Sequence, residues 1–299
     1  MVACRRTTSR CEQCPESAQS DLRTNGAKQL SNLQIRILSS VVLVAVALTL
    51  TWLGGMPYRL LCVAIAAAIF YEWMRMSRHN APGGVPFLPE ALMLAFIGAL
   101  IAGLPAMFLL ILVAGLAGFA VIAAWWRDVP QWEAGGIAYA ALSGFSLAYL
   151  RDGDRAGLIA TLFLFAVVWA TDIAAYFTGR ALGGAKLAPS ISPGKTWSGA
   201  VGGTVGGLAA GLALAAATGW GGLWAGFVAL LLAIVSQFGD LFESFVKRRS
   251  GVKDSSHIIP GHGGVMDRVD GLVAAALTLY VIGVLSGGAD NPASGLVGG

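Results

Sequence analysis

The sequence predicts an all-α polytopic membrane protein, a bundle of about nine transmembrane helices with a polar site at the cytoplasmic face. Three observations carry that prediction. Of the 299 residues, 56% are hydrophobic and only 12% charged, whereas soluble domains carry about 25% charge. Apolar runs recur from Leu38 to Leu285, each near the ~20 residues that cross a bilayer as a helix. The runs are continuous rather than alternating, which excludes barrel strands. The charge that remains is gathered in one place. Ser236–Gly271 holds five carboxylates (Asp240, Glu243, Asp254, Asp267, Asp270), five Lys/Arg, and both His257 and His262.

Residues 1–34 form a polar tail rich in Ser, Thr, Gln and Arg, expected to be disordered. Cys4, Cys11 and Cys14 lie in it. Three thiols with no further ligand nearby fall short of a zinc set, so these and Cys62 read as reduced thiols. Nine membrane segments follow, at roughly 37–53, 59–76, 88–104, 106–124, 134–150, 156–178, 199–219, 222–243 and 270–287. Residues 35–154 are read as N-terminal transmembrane helices, 155–288 as the catalytic transmembrane region and 289–299 as a short C-terminal tail. The fifth segment is short enough to be re-entrant or tilted.

Orientation follows from the basic residues. With the N-terminus inside, 17 of the 20 Lys/Arg fall on inner segments, against Arg59, Arg151 and Arg155 outside. That asymmetry marks the cytoplasmic side. It puts loops 179–198 and 244–269 on one face, and it accounts for the net charge of +4 without a nucleic-acid partner. The expected location is the cell inner (plasma) membrane. The seventh segment carries Gly199, Gly203, Gly207 and Gly211 at every fourth position, with Gly202 and Gly206 as a second row. Such a stripe lets helix backbones approach closely.

Asp172 sits inside the sixth apolar run, where an ionisable group is a functional candidate. An Asp held by an Arg or a Tyr hydroxyl is the structural alternative. Helical spacing puts Trp169, Asp172, Tyr176 and Arg180 on one face. Pro189 and Pro193 keep residues 189–199 out of a helix. That loop supplies Ser190, Ser192, Lys195 and Thr196 just before a helix start, where free backbone N–H groups attract anions. Asp240, Ser244 and Lys247 share a face of the eighth segment. Lys247-Arg248-Arg249 would also serve as an anchor to anionic lipid. Asp267 and Asp270 share a face at the mouth of the ninth segment. Asp240, Asp267 and Asp270 make an oxygen-only set suited to Mg²⁺, and Gly263-Gly264 let backbone approach a ligand. The combination points to metal-assisted chemistry on phosphate.

The 27 positions from Ser244 to Asp270 resemble the signature of phosphatidate cytidylyltransferases, the CDP-diacylglycerol synthases. They read Ser244-x-Val246-Lys247-Arg248-x4-Lys253-Asp254-x-Ser256-x2-Ile259-Pro260-x-His262-Gly263-Gly264-Val265-x-Asp267-Arg268-Val269-Asp270. Two upstream blocks are similar to the same family: Asp172-x2-Ala175-Tyr176-x2-Gly179-Arg180 and Ser192-Pro193-x-Lys195-Thr196-Trp197. The resemblance covers about residues 36–287. It departs at Ser198, where many members carry Glu or Gln. It implies transfer of the cytidylyl group of CTP to phosphatidate, with release of pyrophosphate, in membrane lipid and with Mg²⁺. A second metal ion and a homodimer are compatible with it. The implied metal ligands are Asp240, Asp267, Asp270 and Asp172, and the implied catalytic residues are Lys195, Ser244, Lys247 and Arg268. Substrate contacts would come from Ser192, Thr196, Arg248, Lys253, His262, Gly263, Gly264 and Tyr176. The alternatives are a CTP-dependent polyprenol- or phytol-type lipid kinase and, from another class, a transporter or channel.

Overall fold

The computed structural model describes residues 37–80, 87–126, 131–153, 155–259 and 263–297. The polar tail and His262 therefore lie outside the described residues. The chain runs as α1 (Ile37–Leu53), α2 (Gly55–Asn80), α3 (Leu88–Ile101), α4 (Ala106–Trp126), α5 (Trp132–Arg151) and α6 (Arg155–Leu182). A hairpin follows, β1 (Lys186–Ala188) and β2 (Ser192–Thr196), and then α7 (Trp197–Thr218), α8 (Leu223–Arg249), α9 (Met266–Gly287) and α10 (Pro292–Val297). Helices α1 to α9 stand where the nine apolar segments are expected. Six of the described helices (α2, α4, α6, α7, α8 and α9) are long and apolar enough to cross a membrane. Helix α3, at 14 residues, is shorter than a span needs.

Helix α5 has the length but not the composition, because it faces protein. It touches α2, α3, α4, α6 and α9, and nearly every residue from Gly136 to Arg151 is buried or half-buried. A helix so surrounded is free to carry Ser143, Ser146 and several glycines and alanines that lipid would not favour. Around it the core is built from Trp73, Phe96, Phe145, Phe163, Leu147 and Leu164. Trp73 Nε1 donates to the Trp132 carbonyl at 2.7 Å, and its ring lies against Tyr139 and Phe242.

Helix α7 uses its glycines as expected. Gly199, Gly203, Gly207 and Gly211 are all buried. A Cβ on Gly203 would meet the Thr171 carbonyl at 2.9 Å and Ala175 Cβ at 2.9 Å. On Gly211 it would meet Ala229 Cβ at 2.6 Å. The stripe lets α7 press onto both α6 and α8, which carry ionisable side chains.

The all-α expectation needs one correction. Strands β1 and β2 pair antiparallel, with Lys186 opposite Thr196 and Ala188 opposite Ser192. Proline and glycine keep this stretch from joining α6 to α7 as one helix, and the hairpin satisfies backbone groups that would otherwise be open.

The two ends of the bundle differ. At the end holding the α1–α2 and α5–α6 junctions, Arg151 donates to the carbonyls of Thr51 (2.5 Å), Trp52 (3.3 Å) and Gly153 (3.0 Å). There the Tyr149 hydroxyl donates to the Leu104 carbonyl, and the Ala106 N–H donates to Asp290 Oδ1 at 2.6 Å. The opposite end gathers the hairpin, the last turns of α2, α6 and α8, and the first turn of α9.

Candidate active site

At that opposite end, α6, the hairpin, the start of α7 and the middle of α8 enclose a cleft of ≈ 690 Å³. Asp172, Tyr176 and Arg180 line it from α6, Lys186, Lys195 and Thr196 from the hairpin, and Gln237 and Asp240 from α8. The volume lies within the range of small-ligand sites, about 300–1,000 Å³. The one-face reading of α6 holds here: Arg180 Nη1 donates to the Tyr176 hydroxyl at 3.0 Å.

Charges are arranged as a chain rather than a ring. Lys195 Nζ is ion-paired with Asp240 Oδ2. Asp240 lies beside Asp270, Asp270 beside Glu243, and Glu243 beside Asp267. Lys247 closes the far end, 3.1 Å from Glu243 Oε1 and 2.8 Å from Asp267 Oδ1. Helical spacing explains the row on α8: Asp240, Glu243 and Lys247 are three and four residues apart and project together. Glu243 is completely buried. Lys247 is its ion-pair partner, yet neither of its oxygens accepts a hydrogen bond of good geometry. Four carboxylates in a row, with Glu243 completely buried and Lys247 its ion-pair partner, are a strongly anionic cluster that favours a cation.

A second network holds the loop between α8 and α9. Glu72 of α2 is completely buried. Its Oε1 accepts from Ser256 Oγ (2.6 Å) and Val265 N (2.8 Å). Its Oε2 accepts from Met266 N (2.7 Å) and Ser255 Oγ (3.1 Å). Val265 and Met266 are the cap and first residue of α9, so Glu72 places an anion on otherwise open N–H groups of that helix. Gly264 is required beside it, since a Cβ there would stand 2.6 Å from Glu72 Oε1. Gly263 adopts φ +84, a conformation that glycine alone takes easily.

The predicted site residues sort into three groups. Asp172, Tyr176, Lys195, Thr196 and Asp240 line the cleft. Lys247, Asp267, Asp270, Gly263 and Gly264 belong to the adjoining network. Asp267 is heavily engaged: besides Lys247, it accepts from Ser255 N (3.2 Å) and Gly264 N (2.9 Å). Thr196 caps α7, its hydroxyl accepting from Gly199 N at 3.1 Å. Arg248 ties the two loops together, donating from Nε to the Ile191 carbonyl at 3.3 Å. Ser192 sits in β2 opposite Ala188, outside the cleft lining. Ser244 is half-buried on α8, while Lys253 and Arg268 are exposed. Ser198 donates to the Gly183 carbonyl, which gives this departure from the signature a local role at the α6–hairpin junction.

Glu72 and Glu243 carry geometry to which the sequence reading gave no role. The available signal was the one used for Asp172, an ionisable group within an apolar run. Glu243 also stands three residues from Asp240 and four from Lys247.

The sequence is matched among known proteins. A profile described as the cytidylyltransferase family covers residues 34–285. The chain belongs to that family. It is 47% identical over 267 residues to a phosphatidate cytidylyltransferase of Brucella suis biovar 1 (strain 1330), spanning 89% of this chain and 98% of that protein. A phosphatidate cytidylyltransferase of Rickettsia bellii (strain RML369-C) is 31% identical over 264 residues, 85% of this chain and 92% of the relative. A third relative of that name, from Haemophilus influenzae (strain ATCC 51907 / DSM 11121 / KW20 / Rd), is 46% identical over 125 residues. The span of the family match takes in α2 as well as the loop between α8 and α9.

Proposed function

We propose that the protein transfers the cytidylyl group of CTP to phosphatidate, giving CDP-diacylglycerol and pyrophosphate for phospholipid synthesis. The observation that carries this is the charged row from Lys195 through Asp240, Asp270, Glu243 and Asp267 to Lys247, set beside a cleft at one end of a membrane bundle. It offers cations for phosphates and carboxylates for a metal where a lipid head group and a cytosolic polyanion can meet.

Mg²⁺ is part of the proposal, and the donor set supports it. The carboxylates are hard oxygen donors, and Glu243 is completely buried with Lys247 as its ion-pair partner. Among the described residues no three such groups form a ready-made metal site. Mg²⁺ is commonly held by one or two carboxylates completed by substrate phosphates, and Asp240 and Asp270 suit that role. Asp172 faces the same cleft and would add an oxygen or orient a bound water. Asp267, with three donors on its two oxygens, better serves to hold the loop. When bound, the metal would draw charge from the triphosphate and keep its oxygens in line.

The protein's own groups then act mainly by position and charge. A phosphatidate phosphate oxygen attacks the α-phosphorus of CTP. The bond from that phosphorus to the bridging oxygen breaks, and pyrophosphate leaves with the electron pair. The nucleophile is already an anion, so no side chain need take a proton. Lys195 is placed to neutralise charge gathering on the α-phosphate. Ser244 and Arg268 flank the same end of the bundle and are assigned to the phosphates, as is Arg248. Lys247 keeps Glu243 and Asp267 from repelling each other.

The basic-residue asymmetry supports a cytoplasm-facing site in the inner membrane. Broad apolar faces of α1 and α4, with Val41, Trp52, Ile111 and Trp125 exposed, would be covered by lipid or by a second copy in a homodimer. The decisive experiment is an assay in detergent with Mg²⁺, phosphatidate and CTP labelled at the α-phosphate. Label entering the lipid fraction is expected. Transfer of a γ-phosphate label instead would favour the lipid-kinase alternative and overturn the proposal.

A further inference from the structure

The polar cleft has an apolar continuation. A groove of ≈ 350 Å³ runs between α7 and α8, walled by Trp197, Val201, Val205, Ile234, Phe238 and Leu241. It shares Leu187, Ala200 and Gln237 with the cleft. Facing residues fix its direction. Thr204 meets Gln237 at 3.0 Å, Gly207 faces Ala233 and Gly211 faces Ala229, so the two helices run antiparallel. Asp240 then stands level with Ala200 at the cleft, and Ile234 stands deeper, near Gly206. From Trp197 to Val205 the groove descends about 12 Å, at about 1.5 Å per residue. Its walls carry no charge. Its two polar side chains satisfy one another, with Gln237 Nε2 donating to Thr204 Oγ1 and to the Ala233 carbonyl. Trp197, Val201, Val205 and Phe238 are each more than half exposed, open from the side as a lipid would need.

We propose that this groove seats one acyl chain of the lipid substrate while its phosphate lies beside Lys195 and Asp240. The inference rests on the phosphatidate reading above and adds a subsite to it. A lipid whose head enters the cleft must lead its tails out through apolar surface. Elsewhere the cleft is edged by Arg180, Lys186 and Tyr176. The groove supplies an apolar exit that begins at the carboxylates and runs away from them. Chance annular lipid or a second copy on this face would leave that continuity without a purpose.

The test fills the groove from its open side. Val201→Trp and Val205→Trp alter exposed positions away from the packed glycine face, so the bundle should fold. Phe238→Ala removes a wall instead and adds no bulk. Each is assayed with α-labelled CTP on dioleoyl and on dihexanoyl phosphatidate. On the long-chain lipid, kcat/KM should fall by about tenfold or more, since each methylene kept from burial is worth about fourfold. On the short-chain lipid it should hardly change, and KM for CTP should stay as in the wild type. Equal losses on both lipids would make the groove a packing or copy-contact surface and overturn the proposal. Unchanged activity on both would do the same, leaving only passing membrane lipid there. Wild-type protein that labels neither lipid would sink the phosphatidate reading itself, a result distinct from either.

Discussion

Glu72→Ala removes a carboxylate that accepts four hydrogen bonds at 2.6 to 3.1 Å. The Ser255 and Ser256 hydroxyls can rotate toward other acceptors. The Val265 and Met266 N–H groups cannot, because they are fixed at the start of α9. Each buried donor left open costs about 1–3 kcal/mol, so the pair sets a penalty of about 2–6 kcal/mol. Relief from burying an anion offsets part of it, leaving a net loss of about 3 kcal/mol. The consequence for turnover is larger than for folding. The same loop carries Gly264, and α9 carries Asp267 and Asp270, so the carboxylate row loses its support. A shift of about 1 Å in such a site costs roughly 10²-fold in rate. Glu72→Gln keeps one acceptor oxygen and should fall between alanine and wild type. The measurements are thermal unfolding in detergent and the α-label assay on the folded fraction. If Glu72→Ala melts like wild type and turns over within about twofold of it, the positioning argument is wrong.

The remaining predictions concern the charged row and the glycine stripe. Asp240→Asn should raise the Mg²⁺ concentration needed for half-maximal rate, whereas Asp267→Asn should lower the rate with little change in that concentration; a Mg²⁺ titration showing the reverse would exchange their roles. Lys195→Ala should reduce kcat by about 10²-fold with a smaller change in KM for CTP. If only KM moved, the lysine would bind ground state and transition state alike. Gly203→Val pushes side chain into the Thr171 carbonyl and Ala175, so α7 should separate from α6 and the yield of folded protein should drop. Normal yield and melting would mean that the helices repack freely there.

Much of the fold is written in the apolar runs, because a helix facing lipid must be apolar along its length. Helix α5 is the instructive exception. It is wrapped by protein, so its composition answers to neighbouring helices instead of lipid, and hydropathy reads it as weak. The hairpin is hidden for another reason. Its strands have three and five residues and include Pro193 and Gly194, too short and too broken for an alternating pattern. Asp240, Asp267 and Asp270 were legible from the charge clustering around them. Glu72 shows only as an ionisable group within an apolar run; the groups it binds are 183 to 194 positions away, and nothing local to IFYEWMRM announces them. Asp267 shows the limit of reading roles from residue type: its identity fits a metal ligand, while its donors engage it in the loop.

The hydrogen bonds at the far end have a bearing on motion. Arg151 fastens α1 to α5 through the carbonyls of Thr51 and Trp52, and Asp290 fastens the α9–α10 segment to α4. Those bonds end on backbone atoms, which have little freedom to swap partners. Beside the cleft, Lys195 with Asp240 and Lys247 with Glu243 and Asp267 are ion pairs, which incoming phosphates can compete for. A cleft closed partly by exchangeable charges should loosen more readily than the base of the bundle. Amide exchange should be slowest around Thr51 to Tyr58 and Leu147 to Arg151 and fastest around the hairpin, with added nucleotide slowing only the latter.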